Sequence, residues 1–195
     1  MSTGRPIEFD TDEVLGAATL TFWSKGYEAT SMQDLLAATR LSKSSLYQAF
    51  GGKQALFGRC ISGYTDQMVG QLRGRLDQSA SPLDFIATTL REIAAEGAAT
   101  AAPRGCLVMN TASEFGQREP EFARWVESGI TRVRTVMLLA VKRGQARGEI
   151  TSNRTAAILA DYLMSSIAGL RTMVKAGAPQ KMVAGVVDVI VASLQ

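Results

Sequence analysis

Apolar residues recur at three- and four-residue spacing along almost the whole chain, which is the periodicity of helices with one buried face. Leu15, Ala18 and Phe22 place such a face on a helix from about Asp10 to Lys25, with Gly26 as its stop. Met32, Leu35, Leu36 and Thr39 mark a short helix that Thr30 or Ser31 can cap, since a hydroxyl there accepts a bond from an orphan N–H. Arg40 and Leu41 make a turn, Ser42 caps again, and Lys43 to Phe50 form a second short helix burying Leu46 and Phe50. Leu15 and Phe22 are expected to pack on Leu35 and Leu46. A connecting helix, about Lys53 to Leu76, carries Phe57, Ile61, Tyr64, Met68 and Leu72. Gly58, Gly63, Gly70 and Gly74 interrupt it, each costing up to about 1 kcal/mol relative to Ala.

Past a polar linker, Asp77 to Ser81, Pro82 opens a helix with Leu83, Ile86, Leu90 and Ile93 that reaches about Ala99. Small residues from Ala98 to Pro103 lead to Arg104-Gly105-Cys106 and a short helix ending at Phe115. A long amphipathic helix from Glu119 to Arg147 has Phe122, Val126, Ile130, Val133, Met137 and Val141 in register and stops at Gly148. Ser152 or Asn153 caps the next, Thr155 to Lys175, closed by Gly177 and Pro179. The last, Gln180 to Leu194, aligns Val183, Val187, Ile190 and Leu194, with Val186 and Val191 widening the stripe. The pattern predicts an all-α fold: a three-helix head and a bundle of about six helices.

The two short helices between Thr30 and Gly52 carry the most chemistry. Opposite Leu46 and Phe50 lie Lys43, Ser44, Ser45, Tyr47 and Gln48, all hydrogen-bond donors and none acidic. From Leu35 to Thr65 there is no Asp or Glu, while Arg40, Lys43, Lys53 and Arg59 fall inside that stretch. A helix of this size fits the major groove, and such side chains suit phosphates and base edges. The alternative is an ordinary helical hairpin with a solvated polar side, which leaves the charge segregation unexplained. Residues 1–59 hold six basic and six acidic side chains, so any attraction to a polyanion is local. Ser42, Lys43, Ser44, Ser45, Tyr47 and Gln48 form the expected reading surface, with Gln48 able to pair bidentately with adenine. Arg5, on a short N-terminal arm, either reaches a minor groove or belongs to a disordered tail.

At these residues the chain resembles the tetracycline-repressor (TetR) family of bacterial regulators. The likeness is carried by LSKSSLYQAFGGKQALF, Leu41 to Phe57, and by FWSKGYEATSMQDLLAAT, Phe22 to Thr39. Within them stand a Lys-Gly-aromatic-x-x-Thr step (Lys25, Gly26, Tyr27, Thr30) and a recognition segment with Leu41, Ser42, Lys43, Leu46, Tyr47 and Phe50, followed by Lys53. It covers about the first 65 residues closely and the remainder only in architecture. The resemblance implies a helix-turn-helix DNA-binding domain over residues 7–67 and a ligand-binding and dimerisation domain over 68–195. It also implies phosphate contacts from Tyr47, Lys53 and Thr30 or Ser31, and repression of a double-stranded operator rather than activation. Its pocket would lie among the middle helices, which supply Tyr64, Met68, Phe85, Met109, Phe115, Trp125, Met137, Tyr162 and Met164. Adaptable methionines and aromatics with few charges suit a small apolar or aromatic effector. Two residues depart from the family's pattern: Arg40 stands where Gly is common, and Leu36 where a small Ala is usual. A positive φ at Arg40 would cost roughly 1 kcal/mol.

Composition narrows the function classes. The chain has 195 residues, 46% hydrophobic, and a net charge of +3. It has no histidine, hence no imidazole base, no Ser-His or Cys-His nucleophile and no His-ligated metal. Gly51-Gly52-Lys53 lacks the strand and spacing of a phosphate-binding loop. Glu114, Glu119 and Glu121 cluster around Gly116 and Pro120, where a solvated helix junction is expected. Neither an enzyme nor a cofactor or metal is expected. Without an N-terminal apolar region, and with apolar runs read as far short of a membrane span, the natural compartment is the cytoplasm.

Cys106 follows Gly105 at a helix start beside Arg104, a setting that favours a nucleophilic sulfur; it is either a sensor of electrophiles or oxidants or a buried inert thiol. Cys60 reads as structural. The penultimate helix offers small residues (Ala156, Ala157, Ala160, Ser165, Ala168, Gly169) and the last its valines, which suit a homodimer unless both stripes are used within one protomer. The competing class is an interaction protein that binds DNA constitutively or not at all.

Overall fold

The computed structural model describes residues 9–99 and 103–195. Among them run nine helices: α1 Thr11–Lys25, α2 Met32–Thr39, α3 Lys43–Phe50, α4 Lys53–Gln78, α5 Pro82–Ala99, α6 Leu107–Phe115, α7 Pro120–Ala146, α8 Ala156–Lys175 and α9 Gln180–Ala192. Their starts are chemically marked. The Asp10 carboxylate accepts the N–H of Asp12 at 2.8 Å. Ser31 caps α2 in a reciprocal box with Asp34: Ser31 Oγ accepts the Asp34 N–H at 3.1 Å, and Asp34 Oδ2 accepts the Ser31 N–H at 2.9 Å. Ser42 caps α3 through the Ser45 N–H. Thr155, rather than Ser152 or Asn153, caps α8. Arg40 does take the left-handed conformation, φ 57°, between α2 and α3. Leu36 is only partly buried, so the head accommodates it at its edge. Arg5 lies outside the described residues.

Two cores form. One joins α1–α3 and the first turns of α4, through Phe22, Leu35, Leu46, Leu56 and Phe57. The inward face of α1 is Val14, Ala18 and Phe22, one residue round from the expected Leu15, which is half-buried at the margin. This core continues into the other half of the chain through Leu107, Val108, Phe115 and Phe122 of α6 and α7. Tyr27 is the joint: its ring stacks on Phe22 at 5.9 Å and meets Phe57, Phe115 and Phe122 edge-on at 5.2, 5.6 and 4.8 Å. Aromatic pairs of this kind add about 0.5–1.5 kcal/mol each beyond the area they bury. The second core unites the end of α4 with α5, α7, α8 and α9.

The helix α4 runs between the two. At Gly58 it crosses α7 so closely that a Cβ would come within 2.5 Å of the Trp125 ring. Gly63, Gly70 and Gly74 face open space and have no such reason. Contrary to the sequence expectation, α8 is by length and composition apolar enough to cross a membrane: it has 20 residues, and an 18-residue window of it has a mean hydropathy of 1.2. Its Leu159, Leu163, Leu170 and Val174 fill the second core, while Asp161 pairs with Arg134 of α7 and Arg171 with Glu96 of α5. It is built as a bundle helix.

Candidate nucleic-acid interface and cavity

On α3 the side chains of Lys43, Ser44, Tyr47 and Gln48 are exposed, and so is the capping Ser42. Ser45 is not among them. It is 4% exposed, in the row of Leu41 and Ala49, with its hydroxyl 2.7 Å from that of Ser42. Thr30 is also withdrawn from the surface: it is fully buried and donates to the Gly26 carbonyl, which leaves Ser31 as the exposed hydroxyl at the start of α2. Tyr47 lies on the α3–α4 turn, where a Cβ on Gly52 (φ 124°) would stand 3.3 Å from its ring. Lys53, the first residue of α4, holds its ammonium 4.2 Å from the centre of the Tyr27 ring. The α4 N-terminus thus presents a fixed positive charge beside its own dipole.

The acid of α2 is neutralised. Lys25 donates to the Asp34 carboxylate at 2.5 Å, and this bond, with those from Ser31, holds that carboxyl well below the usual carboxylate range. Arg40, Lys43 and Arg59 are exposed near α3 with no ion-pair partner among the described residues. Such a surface can take phosphates around a helix that offers an amide to a base edge.

Four hydrogen bonds tie this head to the rest. The Glu114 carboxylate on α6 accepts the backbone N–H groups of Tyr27 and Glu28, at 3.0 and 2.6 Å. Gln54 donates to Glu121 at 2.6 Å, and the Trp23 indole to the Gly105 carbonyl at 3.2 Å. The acidic cluster is therefore not simply solvated: Glu119 and Glu121 are exposed, but Glu114 grips the α1–α2 turn.

A cavity of about 240 Å³ opens between α4, α5, α6, α7 and α8, lined among others by Met68, Cys106, Met109, Met137 and Met164. Beside it lies an outer cleft of about 470 Å³ that shares Met68, Gln71, Glu96 and Arg171 with it and is bordered also by Trp23, Tyr64 and Arg104. Four expected lining residues lie elsewhere. Phe85 is in the second core and borders only a shallow groove at the far end of α5. Phe115 and Trp125 belong to the aromatic joint with the head. Tyr162 faces outward from α8. Conversely, the wall contains polar residues that an expectation of apolar side chains leaves out: Gln71, Glu96 and above all Arg171, the one basic residue of α8 before its last position. That isolation was the available signal.

Cys106 stands at the N-cap position of α6 without a capping bond, is 7% exposed and lines the cavity. Burial, then the neighbouring Cys106 thiol, push the Tyr64 hydroxyl upward, so it remains a neutral donor. Burial pushes the Cys60 thiol up to about 11, as suits an inert structural cysteine.

The outer face of α8 and α9 is apolar. Ile158 is 53%, Met182 55% and Val189 68% exposed, with Tyr162 and Val186 between them. Val183, Val187, Ile190 and Leu194 are consumed inside the protomer. Ala160 and Ala168 also face inward, so the small-residue face reduces to Ala157, Ser165 and Gly169.

With this geometry the comparisons agree. Residues 14–60 match the family model for bacterial regulatory proteins of the tetR family, and residues 82–188 match a tetracyclin repressor-like C-terminal domain. The chain is 31% identical over 179 residues to the HTH-type transcriptional repressor ComR of Escherichia coli (strain K12), covering 91% of this chain and 85% of that protein. It is 31% identical over 191 residues to YezE, an HTH-type transcriptional regulator of Bacillus subtilis (strain 168), covering 95% and 96%. A cysteine-substituted variant of CifR, a TetR family transcriptional regulator bound to 26-base-pair double-strand operator DNA, superposes with a TM-score of 0.84 at 30% identity, covering 98% of this chain and 100% of that one.

Proposed function

Because the chain belongs to the TetR family of bacterial regulatory proteins, as a DNA-binding transcriptional regulator, we propose that it is a homodimeric repressor released from a palindromic operator by a small apolar or aromatic ligand. The observation that carries this is the double role of α6. Its first turn, with Val108 and Met109, walls the cavity, and its last turn carries the Glu114 carboxylate that holds the α1–α2 turn. At nine residues, α6 is a rod about 13 Å long. A ligand that displaces it changes the seating of α1 and α2, and hence of α3. Such a ligand shifts the DNA-binding equilibrium by as much as it prefers the displaced state.

The exposed Ile158, Tyr162, Met182, Val186 and Val189 supply the dimer face. Two heads related by a two-fold axis would meet successive major grooves, roughly 34 Å apart, and read a palindrome. DNA as the partner makes the cytoplasm the compartment. The test is a gel shift on the chain's own upstream region with and without small-molecule extract of the host cell. Retardation relieved by extract supports the repressor. Retardation unchanged by any extract favours a constitutive DNA-binding protein, and none at all a protein that does not use DNA.

A second reading rests on Cys106, whose sulfur lies on the cavity wall beside the Tyr64 hydroxyl. There the thiol could add across the conjugated C=C bond of an electrophilic ligand such as a quinone: the carbon–sulfur bond forms as the C=C π bond breaks, and the thiol proton passes to the carbonyl oxygen of the adduct. Operator affinity of wild type and Cys106→Ser, each with and without a quinone, separates the two; equal responses leave the non-covalent ligand.

A further inference from the structure

The apolar cavity has a charged mouth. Four cations, Arg75, Arg104, Arg171 and Lys175, and two carboxylates, Glu92 and Glu96, border the cavity and its adjoining clefts. Arg75 is paired with Glu92 at 2.6 Å. Arg171 is paired with Glu96, but through one terminal nitrogen that serves both carboxylate oxygens at 3.0 Å. The other N–H groups of that guanidinium have no partner among the described residues, and its side chain is only 18% exposed. Arg104 stands 5.6 Å from the centre of the Trp23 ring, and Lys175 donates to Asn110 at 2.9 Å; neither meets a carboxylate among the described residues. The mouth therefore carries two net positive charges, partly screened from water. A cationic ligand would be repelled there, and a neutral one would leave the open edge of Arg171 unused.

We propose that the effector is an amphipathic organic oxyanion. Its apolar body lies in the inner chamber among Met68, Met109, Met137 and Met164, and its carboxylate, sulfonate or phosphate group lies against Arg171, with Arg104 at the rim. The guanidinium fork matches an oxyanion in a two-bond geometry, and Glu96, 40% exposed, is the partner it exchanges. The inner chamber alone is smaller than the roughly 300 Å³ at which ligand pockets usually begin, so the outer cleft is needed to hold a whole effector. Trp23 of α1 borders that cleft, which puts the anionic end of the ligand against the head. The inference rests on the cavity being the effector site.

The experiment titrates the full chain with two fluorescent dyes that differ by one sulfonate: 1-anilinonaphthalene-8-sulfonate and neutral N-phenyl-1-naphthylamine. Energy transfer from Trp23, read as the part of the signal that Trp23→Phe loses while Trp125 remains, reports dye in the cleft. The anionic dye is expected to bind at least tenfold more tightly. Arg104→Gln and Arg171→Gln should each weaken it threefold or more without changing the neutral dye. Glu96→Gln, which removes the competing carboxylate and leaves both arginines, should tighten it. Equal affinity for the two dyes overturns the oxyanion and leaves the apolar cavity standing. An anion preference indifferent to both arginine variants overturns it too. If neither dye accepts energy from Trp23, the cavity is not a ligand site and the reading beneath this one falls with it.

Discussion

The carboxylate of Glu114 accepts the backbone N–H of Glu28 at 2.6 Å across 86 residues of sequence. With the Tyr27 N–H on its other oxygen, it fills two donors of the turn between α1 and α2 that no residue of the head supplies. Gly26 makes room for it: a Cβ there would stand 3.1 Å from Glu114 Oε2, on a backbone with φ 83°.

Glu114→Gln keeps the shape but gives up the charge and one of the two acceptors. A charge-assisted bond contributes about 1.5–3 kcal/mol, and a neutral replacement keeps part of it, so a loss of about 1–2 kcal/mol is expected. Thermal unfolding measures it. The operator complex of this variant should also respond less to effector, because α6 no longer holds the turn firmly.

Removing Lys53 should weaken binding to operator and random DNA alike and lower the salt slope by about one. Gln48→Ala should instead bring operator affinity toward that for random DNA, by about 1–3 kcal/mol at one base pair. Titrations of both DNAs at several salt concentrations distinguish them. Wild-type behaviour in both variants would remove α3 and α4 from the interface.

Val189→Asp and Ile158→Asp place charges where the protomer loses no core contact. Each should leave the helical signal intact and convert a dimer to a monomer in sedimentation at micromolar concentration. A wild-type monomer would count directly against the two-fold assembly.

Along α4, two Gly→Ala substitutions should have opposite signs. At Gly58 the methyl collides with Trp125, and such overpacking costs about 1–3 kcal/mol. At Gly63 it meets open space, and the gain in helix propensity is up to about 1 kcal/mol. Urea unfolding of the two variants side by side gives the comparison.

The Asp34 carboxyl is held low by Lys25 and the Ser31 cap. A lowered folded-state value means stability that is present above the unfolded-state value, about 3.9, and lost as pH falls through the folded one. The difference in melting temperature between wild type and Asp34→Asn should therefore be constant from about pH 7 to 5 and shrink below about 4.

The helices were legible because core-facing positions keep the 3.6 period; even the long ones end within two residues of their expected bounds. Rotation was less so. Val14 and Leu15 are equally apolar, and only the packing of α1 on α4 selects Val14. Thr30 and Ser45 carry hydroxyls that serve as well inside a turn as against a phosphate. Phe115 and Trp125 looked like pocket residues because composition cannot say which of two cores an aromatic joins. Glu114 was invisible in its role, since its partners are backbone groups far away in sequence. Arg171 is legible as the one basic residue between Ala156 and Val174, a signal that an apolar lining pattern does not contain.

The aromatic joint around Tyr27 also bears on how this protein can be taken apart. A head excised after residue 67 would carry Tyr27 and Phe57 with Phe115 and Phe122 stripped from them, and would leave two N–H groups of its first turn without acceptors. The portable unit is larger and discontinuous: α1 to α4 together with α6 and the opening turns of α7. A chimera that grafts these DNA-reading helices onto another body will keep its fold only if that body brings an acid and two aromatics to the same places.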